Sequence, residues 1–150
     1  MSHGPRYLEV IYCDDIREEV GNKVSYMGVY AGELTVTSAP VLLPKLCIAV
    51  KVITDIGDPF EALEVRIVKV RGNNETELLS TGPVLVPARL PGSDDGPTRL
   101  VAQLTFMLAP FQIDEETMLR IKATTEREEL HGTGALRIRI VPLPAPPTVQ

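Results

Sequence analysis

The runs 119–124, LRIKAT, and 136–140, LRIRI, decide the fold class. Leu119, Ile121 and Ala123 alternate with Arg120, Lys122 and Thr124, and Leu136, Ile138 and Ile140 alternate with Arg137 and Arg139. A period of two is the mark of a strand with one face in a core and the other in solvent, since a helix would scatter the same residues around its axis. The polar stretch from Arg127 to Gly134 joins them, so the pair reads as a hairpin. Its inward residues set the phase and place all four basic side chains, Arg120, Lys122, Arg137 and Arg139, on one outer face. Like charges on facing strands repel. The strip is therefore a candidate contact for an acidic surface on a partner or another subunit. A face neutralised by Glu126, Glu128 or Glu129 is the plainer reading.

Outward from this hairpin the same grammar repeats. Leu100, Ala102, Leu104, Phe106 and Leu108 alternate with Val101, Gln103, Thr105 and Met107, ending at Pro110. In Leu63 to Arg71 the apolar set runs Leu63, Val65, Ile67 and then Val68, Val70, a one-residue slip that predicts a β-bulge near Ile67 and Val68. Leu46 to Thr54 puts Leu46, Ile48, Val50 and Val52 on one face. Further strands are expected at Tyr7 to Cys13, at Lys23 to Tyr30 after a Gly21-Asn22 turn, at Glu33 to Thr37, and around Glu77 to Ser80 after the Arg71 to Asn74 turn. Pro40 and Pro44 bracket an irregular crossing, since each lacks the N–H a ladder needs. One helical turn fits Asp114 to Thr117. No segment sustains a 3.6-residue period, so the expectation is an all-β, single-domain antiparallel β-sandwich, immunoglobulin-like or jelly-roll, of about eight or nine strands. It should span residues 1–141, with a Pro-rich tail at 142–150.

Composition agrees. With 44% hydrophobic residues, 5% aromatics and no Trp, the core must be filled by Val, Ile and Leu, which favours stacked sheets. The formal charge of -5 argues against a general nucleic-acid binder, which needs a basic excess to displace counterions from phosphate. The longest aliphatic run, Leu46 to Val50, is too short for a bilayer, and the start has no secretory apolar region. Synthesis in the cytoplasm is expected. Cys13 and Cys47 lie in apolar strands and read as free, buried thiols.

The stretch from Tyr12 to Leu34, YCDDIREEVGNKVSYMGVYAGEL, carries Asp14-Asp15-Ile16-Arg17 after Cys13, then Ser25, Gly28 and Tyr30. This Cys-Asp-Asp-Ile-Arg run followed by Ser-x-x-Gly-x-Tyr resembles the opening of a family of small, mostly uncharacterised bacterial and bacteriophage proteins. The resemblance implies a β fold and assigns no catalytic role. From the residues themselves, an Arg17 ion pair with one aspartate would pin a bend, and Gly28 would admit a neighbouring strand or bulky side chain.

Chemistry is thin. Asp14 and Asp15, with Glu18 and Glu19, are expected at the end of the first strand, and Asp55 and Asp58 follow a later one; were these loops to converge, they would offer a small-molecule or Ca²⁺ site. Turn-forming Asp is the plainer reading, and no metal signature is present. His3 and His131 lie in a terminus and a hairpin loop, so no base is held beside a nucleophile, and no cofactor motif occurs. The expectation is a non-enzymatic binding module, a homo-oligomer or assembly subunit; the family resemblance, which includes phage-borne members, implies as its most concrete form an accessory or decoration protein incorporated in a phage-like virion. Its adaptable arms would be the Thr81 to Thr98 loop and the tail with Pro144, Pro146 and Pro147. The first two strands are apolar on both faces: Leu8, Val10 and Tyr12 oppose Tyr7, Ile11 and Cys13, and Val24 and Tyr26 oppose Met27 and Val29. That requires cover by the chain's own loops or by another subunit.

Overall fold

The computed structural model describes residues 4–84, 99–132 and 134–149. These form β1 (Tyr7–Glu19), β2 (Lys23–Val29), β3 (Glu33–Val36), β4 (Val41–Leu43), β5 (Leu46–Asp55), β6 (Leu63–Arg71), β7 (Asn74–Ser80), β8 (Arg99–Leu108), β9 (Phe111–Ile113), β10 (Thr117–Thr125), β11 (Glu129–His131) and β12 (Leu136–Ile140), with no helix among the described residues. One sheet has the order β2-β1-β5-β8, the other β3-β12-β10-β6-β7 with β11 also on β10, and β4 and β9 form a two-stranded ribbon.

Alternation along each strand makes the core. Leu8 on β1 and Leu46, Ile48, Val50 and Val52 on β5 meet Leu63, Val65 and Ile67 on β6, Leu119 and Ile121 on β10, and Leu136 and Ile138 on β12 in one buried cluster. Each such side chain removed from water stabilises the fold by about 1.5–3 kcal/mol. The aliphatic character expected of the core is thus what packs the two sheets together.

Several expectations need correction. The described residues hold twelve strands rather than eight or nine, because β4, β9 and β11 are three residues each, too short for alternation to show. A strand, β4, runs where Pro40 and Pro44 were expected to bracket an irregular crossing, and pairs with β9. Residues 114–116 form no helical turn. The sheets are not wholly antiparallel, since β12 runs parallel to β3. A register shift against β7 does fall at Ile67 and Val68, but the expected slip of the inward set does not occur: β6 pairs with β10 without interruption, and Val68 and Val70 stay on the face of Arg66, outside the core cluster. Ile67 faces Leu79 and Val68 faces Glu77, so the extra residue is Leu78 on β7. β1 does not stop at Cys13, and Asp14 to Glu19 continue it against β2. From Pro142 onward the described tail is exposed and joins no strand. The 81–98 loop lies, from 85 to 98, outside the described residues.

Candidate functional site

The outer face of β10 and β12 carries the basic strip. Met118 pairs with Arg137 and Leu119 with Leu136, so Arg120, Lys122, Arg137 and Arg139 share the face opposite the core. They are not equally free. The Lys122 ammonium meets Glu75 on β7 at 2.6 Å and Glu129 on β11 at 3.7 Å, and its hydrogen bond holds the Glu75 carboxyl below the usual range. Arg139 lies 3.5 Å from Glu33 on β3. Among the described residues neither Arg120 nor Arg137 has a carboxylate at ion-pairing distance. Of the neutralising residues expected from sequence only Glu129 serves the strip, whereas Glu126 and Glu128 pair with Arg6 and Arg127.

A shallow recess opens beside the strip, lined by Arg120, Ile121, His131, Gly132 and Ala135. It exists because β11 leaves the ladder before β12 enters it: His131 pairs with Lys122, but the next paired residue, Leu136, faces Leu119. The Gly132 N–H donates to the Ile121 carbonyl, and a Cβ on Gly132 would sit 3.1 Å from Val10. The buried Tyr12 hydroxyl donates to the carbonyls of Leu119 and Gly134 at 3.4 and 3.5 Å, tying β1 to β10 and to the segment before β12. Burial pushes the Tyr12 phenol above its ordinary value, with the Arg120 charge acting in the opposite sense. Arg120 thus presents a cation at the rim of a concavity, suited to a carboxylate or another anion.

The aspartates proposed for a ligand loop do not converge. β1 and β5 run antiparallel, Tyr7 facing Ile53 and Cys13 facing Cys47, which sends Asp14 and Asp15 to one end of the pair and Asp55 and Asp58 to the other. Each is engaged internally. Lys45 bonds Asp15 at 2.5 Å and Arg17 bonds it at 3.4 Å; the Lys45 bond leads in holding that carboxyl below its usual range. Asp55 accepts the Gly4 N–H at 2.5 Å, and Asp58 pairs with Arg6 and Arg127. Among the described residues no three His, Cys, Asp or Glu side chains are grouped to hold a metal ion.

Asp14 explains the Tyr12 to Leu34 pattern. Its carboxylate accepts a hydrogen bond from the Tyr30 hydroxyl, whose pKa is pushed up to about 12 by burial and then by this partner. The same carboxylate occupies the space beside Gly28, where a Cβ would lie 2.2 Å from its oxygen, and Gly28 has φ of 66°. Glycine is the residue that meets both demands. The pattern is a latch for the β1–β2 hairpin.

A second charged constellation was not foreseen. Arg6, whose side chain is 0% exposed, meets Glu126 at 2.6 Å and Asp58 at 3.4 Å. It also donates to Thr54 Oγ1 and the Pro59 carbonyl, and stacks 4.8 Å from the centre of the Phe60 ring. Glu126 in turn accepts the N–H groups of Glu61 and Ala62. The network staples the lead-in to β1 to the β5–β6 loop and the turn after β10. No sequence signal marks it, because a lone Arg before a strand usually solvates.

Cys13 and Cys47 are cross-strand partners, free and buried, and burial raises both thiols before any charge acts. His131 is exposed on β11 near Glu129, and His3 lies outside the described residues. No helix is long and apolar enough to cross a membrane among the described residues. No protein-family model matches the chain, and no curated protein matches it.

Proposed function

We propose that this protein is a non-enzymatic binding and assembly module whose outer β10–β12 face docks an acidic protein surface. The observation that carries the reading is the inequality within the strip: Lys122 and Arg139 are ion-paired, whereas Arg120, which lines the recess, and Arg137, opposite Met118 two residues away on β10, have no carboxylate partner among the described residues. Arg120 donates only weakly, to the Met118 thioether at 3.7 Å, and guanidinium groups without a carboxylate partner are suited to bidentate carboxylate contacts. The strand order favours an immunoglobulin-like sandwich over a jelly roll. β1, β5 and β8 correspond to strands A, B and E, and β7, β6, β10 and β12 to C′, C, F and G.

The exposed tail is the second element. Pro144, Pro146 and Pro147 restrict its backbone, so it docks as an arm at reduced entropic cost. In its most concrete form, resting on the family resemblance, the module is an accessory or decoration subunit of a phage-like particle.

The test uses a fluorescent peptide rich in Glu and Asp as probe. Binding to the full-length chain, weakened by salt and lost in Arg120→Glu/Arg137→Glu, is the expected result. Binding unaffected by that double substitution, or none at low salt, refutes the docking face. For the arm, a chain ending at Pro142 should melt as the full chain does yet lose its larger assemblies in light scattering. Retention of those assemblies excludes the tail.

A further inference from the structure

The two sheets present four lateral edges among the described strands, and three carry protection against pairing with another chain. β7 has Glu75, Glu77 and the irregularity at Leu78; β3 is four residues long and begins with Glu33; β2 begins with Lys23 and is distorted at Gly28. Charges, bulges and shortness are the usual means of blunting an edge. β8 differs. It runs ten residues, pairs on one side with β5, and has no strand on its other side among the described residues. From Leu100 to Leu108 it contains no charge and no proline.

Its side chains are also incompletely covered. Leu100, Ala102, Leu104 and Leu108 point toward the core yet remain half-buried, and on the opposite face Val101 and Met107 are 52% and 59% exposed.

We propose that β8 pairs antiparallel with β8 of a second copy across a two-fold axis at Leu104, joining two four-stranded sheets into one of eight strands. The strand is complementary to itself in this register. Ala102 opposes Phe106 of the other copy, small against large; Leu100 opposes Leu108; Val101 opposes Met107, closing the exposed apolar pair; and Gln103 opposes Thr105, a polar pair on the solvent face. A two-fold contact requires that each residue meet its mate twice, and this register satisfies that at every position. The interface extends the assembly reading to a second surface and does not use the β10–β12 face.

The experiment is sedimentation velocity on the full-length chain and two double variants at exposed positions. Gln103 faces Lys51 on β5 and Thr105 faces Ala49, so acidic residues at these sites are tolerated within one chain. Gln103→Glu/Thr105→Glu sets like charges opposite each other across the axis twice, whereas Gln103→Glu/Thr105→Lys sets opposite charges there. The unmodified chain should sediment at twice its 16.4 kDa mass. The first variant should dissociate, with affinity weakened roughly tenfold or more, and the second should restore the dimer. Circular dichroism of both variants should match the unmodified chain, with a cooperative melt in each. A single-chain species of the unmodified protein at every accessible concentration overturns the proposal, as does a dimer indifferent to Gln103→Glu/Thr105→Glu or one not restored by the charge pair. Arg120→Glu/Arg137→Glu should leave this dimer intact, which separates failure here from failure of the docking face.

Discussion

Substituting Glu126 by Gln tests whether the buried Arg6 network holds the two sheets' connections in place. Glutamine keeps an oxygen to accept the Glu61 and Ala62 amides but turns its NH2 toward Arg6, so the change removes the charge and the acceptor that now meet Arg6 at 2.6 Å. Removing one member of a buried pair typically costs about 3–5 kcal/mol, because the other charge stays buried and uncompensated. Asp58, 3.4 Å from the same guanidinium, offsets part of that loss. The expected cost is about 2–3 kcal/mol, which for a domain of this length lowers Tm by roughly 5–10 °C. Glu126→Ala, which also strands two amide donors, should cost about 1–3 kcal/mol more. Calorimetry and urea titration measure both. A Gln variant within about 2 °C of the unmodified protein, or an Ala variant no worse than Gln, would refute the argument. The pH dependence is a second arm. Burial opposes the Glu126 charge, but Arg6 and the amides prevail and hold its pKa at about 2 against an ordinary 4.5. A depressed carboxyl contributes stability that is complete above the unfolded value and lost as pH falls through the folded one. The gap between the unmodified and Gln proteins should therefore narrow by about 1–2 kcal/mol between those two pH values, after discounting for the carboxylate's partial contact with water.

Gly28→Ala should destabilise by about 2–4 kcal/mol, combining positive-φ strain with collision against the Asp14 carboxylate. In the Asp14→Ala background urea melts should show a smaller cost, and equal costs in both backgrounds would exclude the collision. Tyr12→Phe removes the buried hydroxyl that bonds the Leu119 and Gly134 carbonyls and should cost about 1 kcal/mol; a neutral change would mean the hydroxyl does not tie β1 to β10. In the native protein Cys13 and Cys47 should resist alkylation at neutral pH and react once urea unfolds the chain, since burial both shields them and disfavours the thiolate. Rapid modification of folded protein would contradict their placement.

The parts of the fold legible in the sequence are those where one face is buried and the other wet. β8, β10 and β12 could be placed almost to the residue because alternation encodes that asymmetry. β5 was legible for a different reason, its second face being apolar too, with Cys47, Ala49 and Ile53 all buried. The ribbon of β4 and β9 was not, since three residues give no period and its prolines read as breaks. The apolar pattern at Ile67 and Val68 pointed to the place of a register shift but the wrong strand: Val68 and Val70 are apolar residues on the face away from the core cluster, and the extra residue is Leu78 on β7. At the candidate site the common face of the four basic residues followed from phase alone. Which of them would be left unpaired did not, because Glu75 and Glu33 arrive from strands distant in sequence. The separation of the acidic groups depended on the antiparallel pairing of β1 and β5, a long-range fact that local residue pattern does not encode.

The position of β12 bears on how the chain reaches its folded state. The last of the described strands is inserted between β3 and β10 rather than added at a margin, and it pairs with β3 residues more than a hundred positions earlier. Without Leu136 to Ile140, β3 has no partner in that sheet among the described strands, and β10 is paired on the same side only by β11, over Lys122 to Thr124. Closing so large a loop costs chain entropy, and long-range pairings of this kind slow folding. A nascent chain halted before Leu136 is therefore an incompletely zipped precursor, and the five residues of β12 act as the clasp that commits the molecule to its native state.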